Sequence, residues 1–326
     1  MARTTPLAAS SSDISPADLP RRRGLIVILS VLAGALVAAL WSFTLVDSVI
    51  GDNVANTLLG YDAKGTAIGG LIAGTAFAFV SGLAGTFTAC NIAVFGAIAP
   101  MANARDDRDG RMSTAAPGGS LSLRSTLGPI GWLALGMVAI SGAYGAIGAI
   151  LGERLPQLST AVGGSGLPPR LIQASIVFGV IGLAFLYLGL AALRVVPDPF
   201  AALSLRFPHA RLVVIGALIG GFLVGRPFPL FHKLFEYAAR THNPFYGAAV
   251  FILQSLGNIT VMAVLYVVLV YATRGRFTRW MTAKPARVAT ITAVAFIVVG
   301  AFTFLYWDLR LPARFGYGWF PTAPWQ

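Results

Sequence analysis

Cys90 is the only cysteine of the chain, and it ends a run of small and polar residues, Ser81-Gly82-Leu83-Ala84-Gly85-Thr86-Phe87-Thr88-Ala89-Cys90-Asn91. A lone thiol has three uses. It packs as a small buried hydrophobe, exchanges with a partner protein through a mixed disulfide, or ligates a metal. Exchange requires a stabilised thiolate, which a nearby half-helix N-terminus supplies. Thr86, Thr88 and Asn91 either line a hydrophilic path beside Cys90 or hydrogen-bond backbone groups freed by a helix break. A second constellation is Arg226-Pro227-Phe228-Pro229. At membrane depth Arg226 is expensive and is a candidate for holding an anion or pairing with a carboxylate. Near an interface it simply snorkels. The third is Gln254 and Asn258, four apart and so on one helical face. With Ser255 they form the most polar patch in any unbroken apolar run, suited either to interhelical hydrogen bonds or to a cavity shared with Cys90 and Arg226. His209, His232 and His242 share no metal-ligand spacing and read as solvated, so no metal site is expected. No nucleotide loop, serine elbow or paired carboxylates appear, and no cofactor is called for.

The elements that carry these residues follow from composition. Of the 326 residues, 56% are apolar and 11% charged, whereas a soluble domain carries about 25% charged residues. The chain is therefore expected to be an all-α polytopic membrane protein embedded in a lipid bilayer. One cysteine excludes a disulfide scaffold. The net charge of +12 does not signal nucleic acid, because most cations flank apolar runs and act as topology signals. A bilayer span needs about 20 apolar residues. Seven runs qualify: 24–47, 67–101, 129–152, 171–196, 212–236, 245–272 and 288–307. With the N-terminus in the cytoplasm, sixteen of the 24 Lys and Arg residues fall inside and eight outside, as the positive-inside rule requires. This predicts a plasma-membrane protein with a cytoplasmic polar tail (1–23), an anchor helix (24–47) and an extracytoplasmic aromatic tail (308–326). The loops at 102–128 and 153–170 read as Gly/Ser/Pro-rich connectors.

Two runs are interrupted. The second, at 67–101, is too long for a plain span, and Pro100 closes it. The fifth contains two prolines one residue apart, each of which removes a donor and clashes with the preceding turn. Broken helices survive at membrane depth only where protein or a water-filled cavity receives the freed backbone groups, and a pair of such breaks in corresponding positions marks a transporter's midplane site. The predicted topology gives these runs opposite sense, as in two inverted three-helix repeats, 67–196 and 212–307.

The small-rich helix, glycine, small-polar segment, Ala89-Cys90 and apolar stretch ending in Pro100 resemble the transmembrane domain of the cytochrome c biogenesis and DsbD-type thiol:disulfide interchange proteins. The resemblance covers about 67–307. It implies six core helices in two inverted trios, each opening on a proline-flanked cysteine in a broken helix, with reducing equivalents carried across the membrane. Ala89-Cys90 stands where the family has its first Pro-Cys, and Pro227-Phe228-Pro229 stands near the second. Alanine replaces the first proline, and Phe228 the second cysteine. One thiol cannot cycle through an internal disulfide, so a relay here would exchange with a partner, a thioredoxin-like protein or another membrane-complex subunit, whose own second cysteine resolves the adduct. The expected function is redox maturation of an extracytoplasmic or membrane protein through Cys90. The alternatives are a small-solute or ion permease, with Thr86, Thr88, Asn91, Arg226, Pro227, Pro229, Gln254 and Asn258 around its path, and a non-catalytic subunit or assembly factor. All three fit a transporter, relay or accessory subunit better than an enzyme.

Overall fold

Apolar runs of this length fold as helices in lipid because only a helix satisfies every backbone group within its own segment. The computed structural model describes residues 22–42, 44–85, 123–159, 168–226, 228–273 and 283–323, with Pro20, Arg276 and Trp280. The elements are α1 (Arg23–Leu40), a π-helical turn (Leu45–Gly51) that runs into α2 (Asp52–Leu59), α3 (Leu71–Ala84), α4 (Leu123–Leu151), two 3-10 turns (Gly152–Arg154 and Pro156–Leu158), α5 (Pro169–Ala192), α6 (Ala201–Arg206), α7 (Ala210–Gly221), α8 (Pro229–Arg240), α9 (Pro244–Ala272), α10 (Pro285–Phe304), a second π-helical turn (Leu305–Arg310) and α11 (Leu311–Arg314). No strand occurs among the described residues.

Among the described residues, five helices are long and apolar enough to cross a bilayer: Arg23–Leu40, Leu127–Leu151, Pro169–Ala192, Pro244–Leu269 and Ala286–Arg314. The other two runs of the sequence yield shorter apolar helices, Leu71–Ala84 and Ala210–Gly221. The outward side chains are those of a membrane protein. Leu25, Ile28, Leu32 and Leu36 of α1 are exposed, as are Ile176, Val180 and Leu183 of α5. Ser81, Ser141, Gln254, Ser255 and Asn258 are instead buried between helices. A water-soluble bundle would reverse that arrangement.

Helix starts follow local chemistry. α5, α8, α9 and α10 each begin with proline, whose missing N–H would have had no partner there. Asn243 precedes α9, and its side chain accepts from the amides of Phe245 (3.0 Å) and Tyr246 (3.2 Å), an N-cap. Pro129, where the third apolar run was expected to open, lies inside α4.

The register between neighbours sets their relative sense. Along α3 and α9, the Tyr246 hydroxyl donates to Leu71 O (3.1 Å) and Gly82 abuts Gln254, so the two run parallel. Gly216 meets Leu133 and Gly220 meets Met137, which makes α7 parallel to α4. Gly145 meets Gly247 and Gly142 meets Ile252, so α4 and α9 are antiparallel. Gly182 against Gly300 and Gly189 against Ala293 make α5 and α10 antiparallel. α1 lies along α10, with Gly34 on Ala301 and Phe302. At the α3–α9 crossing the backbones nearly touch: a Cβ on Gly257 would fall on Phe79 O and 3.2 Å from the Gly82 Cα. Close approach of this kind drives association in lipid, where no hydrophobic force pulls helices together. Gly257→Val should therefore lower stability by about 1–3 kcal/mol or more, read as a lower Tm in detergent. Gly131→Val, on a helix surface with nothing within 4 Å, should leave Tm nearly unchanged.

Candidate functional site: a buried arginine between a helix break and a helix end

α7 ends at Gly221, and the chain makes turns through Phe222–Gly225 before α8 starts at Pro229. The break expected from the two prolines is therefore present, flanked by two short helices. Pro229 is the first residue of α8, while Pro227 lies outside the described residues. Turn bonds hold part of the segment: Leu223 N donates to Gly220 O (3.0 Å), Val224 N to Gly221 O (3.0 Å) and Arg226 N to Leu223 O (3.3 Å). The carbonyls of Val224 and Arg226 are received by side chains from elsewhere. Gln173 of α5 donates from Nε2 to Val224 O (2.7 Å) and to the Tyr144 hydroxyl of α4 (3.1 Å). Gln157, in the 3-10 turn after α4, donates from Nε2 to Arg226 O (2.6 Å). Two glutamines thus serve carbonyls that the interruption of the helix leaves without an intrahelical donor.

Arg226 is buried, with 6% of its surface exposed. It does not snorkel. Its Nη2 donates to Gly85 O (3.0 Å), and its guanidinium lies 4.7 Å from the centre of the Phe228 ring. Gly85 is the residue on which α3 ends, so the break after α7 reaches across to the end of α3. A Cβ at 85 would overlap the guanidinium and oblige Arg226 to shift. One turn earlier on α3, Gly82 lies against Gln254 O and Asn258 N of α9. The backbone of α9 at Gln254 and Asn258 and the guanidinium of Arg226 therefore meet α3 within one turn of each other. Gln254 and Ser255 are each 1% exposed, and Gln254 Oε1 and Ser255 Oγ have no hydrogen-bond partner among the described residues. Asn258 is central in α9, which puts the cluster near the middle of the bundle.

Thr86, Thr88, Cys90 and Asn91 lie outside the described residues. Of the remaining positions singled out by sequence, Arg226 bonds the end of α3, Gln254 and Asn258 are buried on α9 where it crosses α3 at Gly82, and Pro229 is the first residue of α8. The histidines divide. His242 is exposed; His209 stacks on Trp132 (centroids 4.8 Å apart); and His232 is half-buried and hydrogen-bonds the backbone of Gln157. His232 is thus part of the break's surroundings, because α8 folds back against the turn after α4 instead of leaving the membrane region as an exposed segment. No group of three or more His, Cys, Asp or Glu suited to a metal occurs among the described residues.

Sequence reasoning missed Gln157, Gln173 and Tyr144. The segment 153–170 read as a connector, yet Gln157 in it is 1% exposed. Gln173 had a weak signal, as a lone amide near the start of an apolar run. It also missed Asp308, in the second π-helical turn, whose carboxylate packs on α5 at Gly179. The chain matches no family model, no curated protein and no solved structure.

Gln157→Leu and Gln173→Leu each leave a buried carbonyl without its donor, which should destabilise the protein by about 1–3 kcal/mol. Thermal unfolding in detergent measures this, and an unchanged Tm would show that the break holds without them.

Proposed function

We propose that the chain is a multi-pass carrier of the plasma membrane, moving a small solute through a site where two broken helices meet. The observation that carries this reading is the Arg226–Gly85 contact, which joins the break between α7 and α8 to the end of α3 near the bundle centre. Interrupted helices whose freed backbone faces protein at membrane depth are how secondary carriers build substrate sites. The architecture proposed with it is the anchor α1 followed by two inverted trios, α3–α4–α5 and α7/α8–α9–α10. Its support is the neighbour pattern: α3 runs along α9 as α7 runs along α4, and α4–α9 and α5–α10 pair across the two trios. The N-terminus would be cytoplasmic and the C-terminus extracytoplasmic, by the distribution of cations in the sequence.

A second reading uses the same place. Cys90 follows Gly85 by five residues, which keeps its α-carbon within about 18 Å of the Gly85 α-carbon along the chain, and a cation nearby favours a thiolate. A one-cysteine relay with a thioredoxin-like partner, as the family resemblance implies, would run through this segment.

Proteoliposomes separate the two. A carrier should accumulate at least one solute from a panel of small anions, cations and neutral polar molecules. Arg226→Gln should reduce that uptake by about 10–100-fold, the value of a hydrogen bond to a charged group, while Cys90→Ser leaves it unchanged. If no solute moves, and acid-quenched membranes instead yield a reducible adduct that Cys90→Ser abolishes, the relay reading replaces the carrier.

A further inference from the structure

The groups around the α7–α8 break have an uneven inventory of charge, donors and acceptors, and it selects among solutes. Three cationic or cationisable side chains approach the break. Arg226 belongs to it. Arg170 lies three residues before Gln173 on α5, on the same side of that helix, and Gln173 bonds Val224 O. His232, one turn into α8, bonds the Gln157 backbone and lies within electrostatic reach of Arg170. Glu236 also acts on His232, but it is engaged by Arg240 in an i,i+4 ion pair. Lys233, next to His232, is turned away and held by the carbonyls of Ala63 (2.7 Å), Lys64 (2.9 Å) and Thr66.

The amides supply the second half of the argument. Only the NH2 end of a glutamine can donate to a carbonyl, so the bonds to Arg226 O and Val224 O fix both side chains with Oε1 directed elsewhere. Both Oε1 atoms are buried and have no hydrogen-bond partner among the described residues, and Gln157 is 1% exposed. A buried acceptor left unmet destabilises by about 1–3 kcal/mol, so each calls for a donor from water or a ligand. Chloride or nitrate would answer the cations and leave the acceptors unmet. A sugar or polyol would do the reverse.

We propose that the solute bound at the break is a small anion that carries its own O–H or N–H groups, the class that includes hydroxycarboxylates, bicarbonate and dihydrogen phosphate. In this arrangement Arg226 and Arg170 receive the negative charge, and Gln157 and Gln173 accept from the solute's donors. The proposal rests on the carrier reading and names its substrate class.

The test is uptake by proteoliposomes of the full chain. Glycolate, bicarbonate and phosphate are compared with acetate, nitrate and chloride, and with glycerol and choline as neutral and cationic solutes. The expected result is transport of at least one donor-bearing anion about tenfold or more faster than any donor-free anion, the equivalent of one hydrogen bond. Arg170→Gln, an exposed position whose replacement leaves folding intact, should raise the half-saturating concentration of that anion. Equal transport of glycolate and acetate, or of bicarbonate and nitrate, would overturn the proposal and make water the donor to both glutamines. Transport of glycerol or choline alone would overturn the anion class with the carrier reading still standing. No transport of any solute would remove the carrier reading, and this proposal with it.

Discussion

A helix broken inside an apolar bundle leaves carbonyls without their intrahelical donors, and the surroundings of residues 222–226 follow from that constraint. An unmet buried group costs several kcal/mol in hydrocarbon, and Gln157 and Gln173 lower that cost by receiving Arg226 O and Val224 O. Those two glutamines in turn fix where α5 and the turn after α4 must lie. The same logic explains why an apolar run tolerates Arg226 at its centre. The guanidinium does not sit in lipid but closes the end of α3, where the last carbonyls of a helix carry partial negative charge.

Arginine acts in this way at three helix ends. Arg226 bonds Gly85 O beyond α3, Arg310 bonds Ala38 O (2.6 Å) and Trp41 O (2.8 Å) at the end of α1, and Arg23 bonds Leu193 O (3.3 Å) beyond α5. Each bond joins elements far apart in sequence and satisfies both partners at once, the cation and the orphan carbonyl. Lys233 does the same for the loop before α3. In a chain with 24 Lys and Arg but 12 Asp and Glu, many cations lack a carboxylate by arithmetic alone, and helix C-termini are the available alternative. Glycine contacts bring the helices together, and these bonds pin their ends.

The helical class, the outward apolar surface and the split at Pro227–Pro229 were legible because they rest on strong local signals: run length, charge content and proline's missing donor. The shared helical face of Gln254 and Asn258 was legible from their spacing. What stayed hidden was long-range. Nothing local distinguishes Gln157, beside Pro156 in a turn, from a solvated residue. Its role depends on a carbonyl 69 positions away. The π-helical turns at Leu45–Gly51 and Leu305–Arg310 left no mark either, because a shift of hydrogen-bond register has no residue signature of its own. Arg226 was ambiguous between depth and interface until its partner was known, since that choice depends on where α3 ends.

The bond from Arg310 to Ala38 spans 272 positions, and this has a consequence for biogenesis. α1 is made well before α10, and the side chain that closes its C-terminal end follows Ala38 by 272 positions. At about 5–20 residues per second, Ala38 and Trp41 wait roughly 14–54 s for Arg310. During that interval their carbonyls must be served by water or headgroups, so the end of α1 belongs at the membrane surface until α10 arrives beside it. α1 thus gains its fixed place only when α10 has been made, and a nascent chain stalled before α10 would hold it as a loose helix.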